Sequence, residues 1–295
     1  MPKRTAIKPL DIVVLSVLGA ACAYLFYRVR IGLQYRWEWE AIPQYLFRYD
    51  PVRGAWVSNV LVEGLLTTIR LSIWSILLAT VMGTVTGLLR ISPRLLHRLV
   101  GRSYVESVRN LPPLVLVFIF YYFISDQIMP VLGIAEWARS ASAPLQQAVG
   151  IFFAPPARLN AFIAALAALA VFEGAYIAEI VRAGIQSVEK GQWEAARALG
   201  LSRWHQMRRV IGPQAVRSIL PPLAGQFVST IKDSSIVAVI SIQELTFQAM
   251  ELMSATYLTF EIWVTVTFLY LLLTFPCALA VGRLESRFRR YETAT

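Results

Sequence analysis

The chain has 295 residues, of which 57% are hydrophobic and only 16% charged, with a formal net charge of +10. That balance excludes an ordinary soluble protein and predicts an all-α integral membrane protein. On so apolar a chain the basic excess reads as membrane-flanking loops, not as a nucleic-acid surface.

The first predicted span covers about residues 10–28. Lys3, Arg4 and Lys8 precede it like the n-region of a signal peptide. The following Arg28-Val29-Arg30-Ile31 offers no small-residue cleavage site, so it reads as an uncleaved membrane helix. Between Gln34 and Tyr49 come Trp37, Trp39, Tyr45 and Tyr49, a density that predicts an amphipathic segment at the membrane surface. A second span follows at 58–90, then a basic loop from Arg90 to Arg109, which reads as an orientation signal beside anionic lipid or as a partner surface. The third span, 111–132, leads into a connection, 127–158, that says little by composition.

The fourth span, 159–187, carries ionisable groups. Glu173 follows fourteen uncharged residues, and such a group usually faces a bundle interior or a wet cavity. Glu179 and Arg182 are three apart, share a helix face and read as an ion pair. Next comes a charged segment, 188–214, containing Gly191-Gln192-Trp193-Glu194-Ala195-Ala196. Glu194, Ala195 and Ala196 favour helix, and Gly200 stands where a left-handed residue ends it. Ser202 caps a second helix, expected from Arg203 to Val210, before Pro213. The result is a compact helical hairpin suited to docking on a soluble partner.

The fifth span, 215–240, begins with Pro221 and Pro222 and is interrupted by Lys232, Asp233 and Ser234. Adjacent residues do not face each other on a helix, so Lys232 and Asp233 either find other partners or break the helix. One reading is a transport pathway or gate; the other is a short loop between partial spans. The sixth span, 260–282, is uncharged from Ile262 to Gly282. Cys22 and Cys277 lie in spans and read as packing residues.

With six spans both termini share a side. Nineteen of the 28 Lys and Arg fall on the side of the termini and the Glu194 segment, against seven on the other. The positive-inside rule then puts both termini and the hairpin in the cytoplasm. His97 and His205 form no catalytic or metal-binding pattern, and no phosphate-binding loop is present. Two alternative classes are an ion-coupled secondary transporter using Glu173, Lys232 and Asp233, and a membrane scaffold without transport.

Several motifs together carry a family resemblance. They are Ala175-Tyr176-Ile177-Ala178-Glu179, Arg182-Ala183-Gly184-Ile185, Gly191 to Ala196, Gly200-Leu201-Ser202, Pro213-Gln214-Ala215, Leu220-Pro221-Pro222 and Lys232-Asp233-Ser234-Ser235. With Arg109-Asn110-Leu111-Pro112-Pro113 and the start of the second span, the chain resembles the permeases of polar amino acid ABC importers over roughly residues 57–285. It departs at Gly212, where the family usually has Leu, by an extra N-terminal span before a five-helix core, and by a long 127–158 connection.

The resemblance implies an N-terminal region 1–56, a transmembrane core 57–285 and a tail 286–295, in a bacterial inner membrane. It implies a second permease (identical or paralogous), ATPase subunits, and a periplasmic or lipid-anchored binding protein that delivers a polar amino acid or close derivative. Gly191, Glu194, Ala195, Ala196, Gly200 and Pro213 would couple to the ATPase; Glu173, Lys232, Asp233 and Ser234 are pathway candidates. This chain would be no enzyme and bind no cofactor, metal or nucleic acid, with ATP and Mg on the partner ATPase.

Overall fold

The computed structural model describes residues 9–32, 35–52 and 54–292. Lys3, Arg4, Lys8, Gln34, Arg53 and the last three residues of the tail lie outside them. The chain divides into two units, Met1–Trp39 and Glu40–Thr295. The first holds helix α1 (Pro9–Gly32), apolar from Ile12 to Tyr27. Past it, Trp37 meets Tyr35 edge-on and stacks on Trp39, with ring centroids 5.0 and 5.8 Å apart.

The second unit opens with a short helix α2 (Ile42–Leu46) and a two-stranded antiparallel hairpin, β1 (Phe47–Asp50) and β2 (Ala55–Ser58). Here the aromatic segment departs from the single amphipathic stretch expected. Tyr49 and Trp56 face each other across the ladder with centroids 5.8 Å apart, the kind of cross-strand pair that stabilises a hairpin. Asp50 accepts the Val52 N–H at 2.9 Å and Gly54 takes φ +63°, which closes the turn.

Helices follow: α3 (Val60–Arg90), α4 (Leu95–Asn110), α5 (Pro113–Leu132), α6 (Ile134–Ser140), α7 (Ala143–Phe152) and α8 (Leu159–Gln186). Then come α9 (Lys190–Ala198), α10 (Arg203–Ile240), α11 (Leu245–Thr256) and α12 (Thr259–Glu292). Among the described residues, six helices are long and apolar enough to cross a membrane, and they match the expected spans. The stretch between the third and fourth spans is folded into α6 and α7.

The centre of the second unit is α8 packed along α3. Lipid supplies no hydrophobic drive between helices, so close van der Waals approach must hold them together. Small residues permit it. A Cβ on Gly83 would stand 2.6 Å from Ile177 and 2.8 Å from the Gly174 carbonyl. One turn on, a Cβ on Gly87 would meet Val181 at 2.8 Å and the Ala178 carbonyl at 3.0 Å. Ala164, Ala165, Ala168, Ala175 and Ala178 are buried along α8. Three apolar clusters surround this pair: Leu71, Phe162, Leu169 and Val237 in the middle, Leu61, Leu245 and Ile262 at the β-hairpin end, and Ile177, Val181, Ile185 and Ile211 at the end carrying α9.

The second hairpin helix differs from expectation. It does not stop before Pro213. Three α-helical residues, Arg203–His205, pass into a π-helical turn, Gln206–Ile211, and then straight into Gly212–Asp233. A Cβ on Gly212 would lie 2.5 Å from the Met207 carbonyl, so the wide turn needs glycine there. Pro213 follows at the start of the α-helical stretch, where its missing N–H is tolerated. Gly212 therefore lets one helix run on from hairpin to span.

Candidate functional site

The hairpin is the first site element. At the end of α9, Gly200 has φ +69°. The Leu201 N–H donates to Ala196 O at 3.2 Å and the Gly200 N–H to Arg197 O at 2.9 Å. This paired pattern is a Schellman cap, which satisfies carbonyls that a helix end leaves open. Ser202 then caps α10 as expected: its Oγ accepts the His205 N–H at 3.5 Å, and its carbonyl accepts the Gln206 N–H at 2.8 Å. The Gln206 side chain is buried and donates to Leu201 O at 2.6 Å, which ties the turn to the helix after it. Gln214 reaches across to Gln192 at 3.3 Å.

Of the expected coupling residues, Ala196 is buried against the second arm, while Gly191, Glu194, Ala195, Gly200 and Pro213 are exposed. Leu199 and Trp204 are 78% and 65% exposed beside them. The sequence pattern did not single out either residue.

Where α8 leaves the bundle, Glu179 pairs with Arg182 and also with Arg90 at the end of α3. Arg182 Nε donates to both Glu179 oxygens at 3.0 and 3.1 Å. The expected intrahelical pair is thus one arm of a clamp between two helices. Periodicity shows only partners on the same helix, so Arg90 was out of its reach.

The second site element lies deeper. Glu173 is fully buried, and its Oε2 accepts from Gln226 Nε2 at 2.6 Å. Its Oε1 is buried without a hydrogen-bond partner, and Asp233, from further along α10, lies close by. Two carboxylates sixty residues apart in sequence therefore share one polar pocket in the bundle. Lys232 is exposed. The helix changes character at this point: α-helical geometry ends at Asp233, and Ser234–Ile240 is a 3-10 turn. Ser234 is buried, and its hydroxyl donates to Ile231 O at 2.8 Å, which secures the change of winding.

A third polar centre was not found in the sequence. Glu244 is fully buried and caps α11, accepting the Thr246 and Phe247 N–H groups at 3.0 and 2.8 Å. The Tyr270 hydroxyl from α12 donates to it at 2.9 Å and Thr68 from α3 at 3.4 Å. Burial pushes its carboxyl above the usual carboxylate range, against the pull of those donors. An acidic residue before an apolar run is a helix-start signal, and that signal was present at Glu244-Leu245-Thr246-Phe247.

Such an architecture, with membrane helices packed around a buried carboxylate and a capped hairpin displayed at one end, suits the membrane-embedded part of a transport system. Residues 75–290 match the family described as binding-protein-dependent transport system inner membrane component. The chain is 33% identical over 232 residues to the probable glutamine ABC transporter permease protein GlnM of Bacillus subtilis, covering 79% of this chain and 94% of that one. It is 31% identical over 259 residues to the glutamine transport system permease protein GlnP of Escherichia coli K12, covering 87% and 99%. Among solved structures, an amino acid ABC transporter crystallised with histidines superposes with a TM-score of 0.65 at 30% identity, covering 86% of this chain and all of that one. The chain belongs to this family of permeases, and the multi-pass membrane architecture expected from the sequence is that of the family. Nothing in these likenesses supports the ion-coupled reading of Glu173, Lys232 and Asp233.

Proposed function

We propose that the chain is the permease subunit of an ATP-driven importer for a polar amino acid or a close derivative, with both termini and the hairpin in the cytoplasm. The hairpin docks on a separate ATPase chain that carries ATP and Mg. A second permease completes the pathway, and a binding protein delivers the solute from the other side. The observation that carries this reading is the doubly capped hairpin with Glu194, Ala195, Leu199 and Trp204 uncovered on it. The caps fix the shape of the hairpin, so a push at its tip is passed on to α10. Because the hairpin's second arm and the fifth span are one helix, that push reaches Gln226 and Asp233 directly. Glu173 and Asp233 are the proposed polar pair of the pathway, flanked by Lys232 and Ser234. Coupling requires the hairpin to bind the two ATPase states with different affinity.

The test is purification of the tagged chain in mild detergent with its partners identified by mass spectrometry. An ABC-type ATPase is expected to co-purify and to be lost when Glu194 and Gly200 are both substituted. A chain that purifies alone and transports in liposomes without ATP would overturn the reading.

A further inference from the structure

The hairpin end holds a feature that solute movement does not use. A groove of about 1000 Å³ opens between the α3–α4 turn and the hairpin. Arg90 and Arg98 come to it from one wall, and Lys190, Arg197 and Arg203 from the other. No Asp or Glu lines it. Arg90 is engaged by Glu179, and Arg98 donates to the Ser92 and Pro93 carbonyls at 3.4 and 3.3 Å. Among the described residues, Lys190, Arg197 and Arg203 have no ion-pair partner. Like charges gathered in a concave site without counter-charge repel one another, and a bound anion relieves that repulsion.

The surroundings indicate which anion. The first turns of α4 display Leu95, Leu96, Leu99 and Val100, each more than half exposed, while Gly101, Val105 and Val108 are buried on the opposite side. Arg94, Arg98 and Arg102 are interleaved with the exposed apolar residues. A helix with uncovered Leu and Val beside arginines is the pattern of one lying in the headgroup layer. It begins a few residues after Arg90, where the apolar span of α3 ends, so the groove opens at headgroup depth.

We propose that this groove binds the phosphate headgroup of an anionic phospholipid, whose acyl chains continue along the exposed apolar side of α4. One wall belongs to the α3–α4 turn and the other to the hairpin, so a headgroup held by both bridges the scaffold and the moving element. Movement of the hairpin must then alter the site, and lipid occupancy must in turn bias the hairpin's position. That last consequence rests on the coupling role proposed above; the binding itself does not.

The test uses the assembled transporter in detergent, incubated with phosphatidylglycerol or phosphatidylcholine of identical acyl chains and examined by native mass spectrometry. Phosphatidylglycerol is expected to be retained in preference. Arg98→Gln on one wall and Arg203→Gln on the other should each lower that retention about fivefold, the effect of one basic group near an anionic surface. Arg217→Gln, a cation on α10 outside the groove, should leave it unchanged. Equal retention of the two lipids, or unchanged retention in both wall variants, would overturn the proposal. So would displacement of phosphatidylglycerol by equimolar inorganic phosphate, which would make the ligand a free anion. Loss of the ATPase from the Arg98→Gln complex with lipid retention intact would assign the groove to the partner protein instead. Retention is read without reference to sidedness, so a hairpin found outside the cytoplasm would sink the orientation while leaving this result standing.

Discussion

Gly200 shows how much one backbone angle can carry. Its φ of +69° is the left-handed conformation that a Cβ disfavours, yet nothing lies within 4 Å of where that Cβ would be. The penalty for substitution is therefore conformational, about 1–2 kcal/mol for a non-glycine residue, and falls on the hairpin without disturbing the bundle. Gly200→Val is expected to insert and fold but to hydrolyse ATP without matching uptake in the assembled transporter. Normal uptake at normal expression would sink the coupling role. Glu244 makes the opposite case, because its surroundings are all contacts. Replacing it by Ala strands two backbone N–H groups at a buried site and leaves the Tyr270 hydroxyl only its bond to Thr246. Each such group costs about 1–3 kcal/mol, so Glu244→Ala should lower the thermal midpoint in detergent by many degrees; an unchanged midpoint would show that these bonds contribute little. Gly200 was legible in the sequence because a cap is a local event, decided within six residues. Glu244 drew no notice, since its importance depends on Thr68 and Tyr270, which sequence spacing does not bring near it.

At the scale of elements, the α3–α8 pair decides the architecture. Gly83 and Gly87 repeat every fourth residue, which stacks them on one face of α3, and α8 answers with small residues and carbonyls. Gly83→Leu would place carbon where Ile177 and the Gly174 carbonyl already stand, and a packed interior does not yield by that much. It is expected to give aggregated protein on size-exclusion chromatography, while Gly19→Ala, with open space around its Cβ, elutes as the unaltered chain. A monodisperse Gly83→Leu protein would mean that the pair is not the architectural centre. The spans themselves were readable, because length and apolarity are properties of a segment. Their pairing was not, since several spans carry small residues and only the fold selects which ones meet. The π-helical turn before Gly212 belongs with what was hidden. The proline suggested a stop, and the wide turn that carries the helix past it is visible only in the backbone.

At the scale of the whole molecule, the lever proposed from hairpin to polar pair makes orientation the decisive property. Single cysteines introduced at Gln192 and at Val52, in a chain with Cys22 and Cys277 replaced by Ser, test it in intact cells. An impermeant maleimide should label position 52 and spare position 192 until the membrane is opened. Labelling of position 192 from outside would invert the topology and remove the hairpin from any cytoplasmic ATPase.

Composition, span length and the asymmetry of Lys and Arg already determined that this is a six-span membrane protein with a charged hairpin on one side, because each depends on local chemistry against water and lipid. The cap at Gly200 and the ion pair of Glu179 with Arg182 were determined likewise, by contacts within a few residues. Tertiary structure alone decided that Glu173 meets Gln226 and Asp233, that Arg90 completes the clamp, that Glu244 joins three helices, and that five cations surround one groove. Those groups are separated by tens to hundreds of residues. Only the packing of small side chains between helices brings them within reach, and that packing is a property of matched surfaces that no single segment possesses.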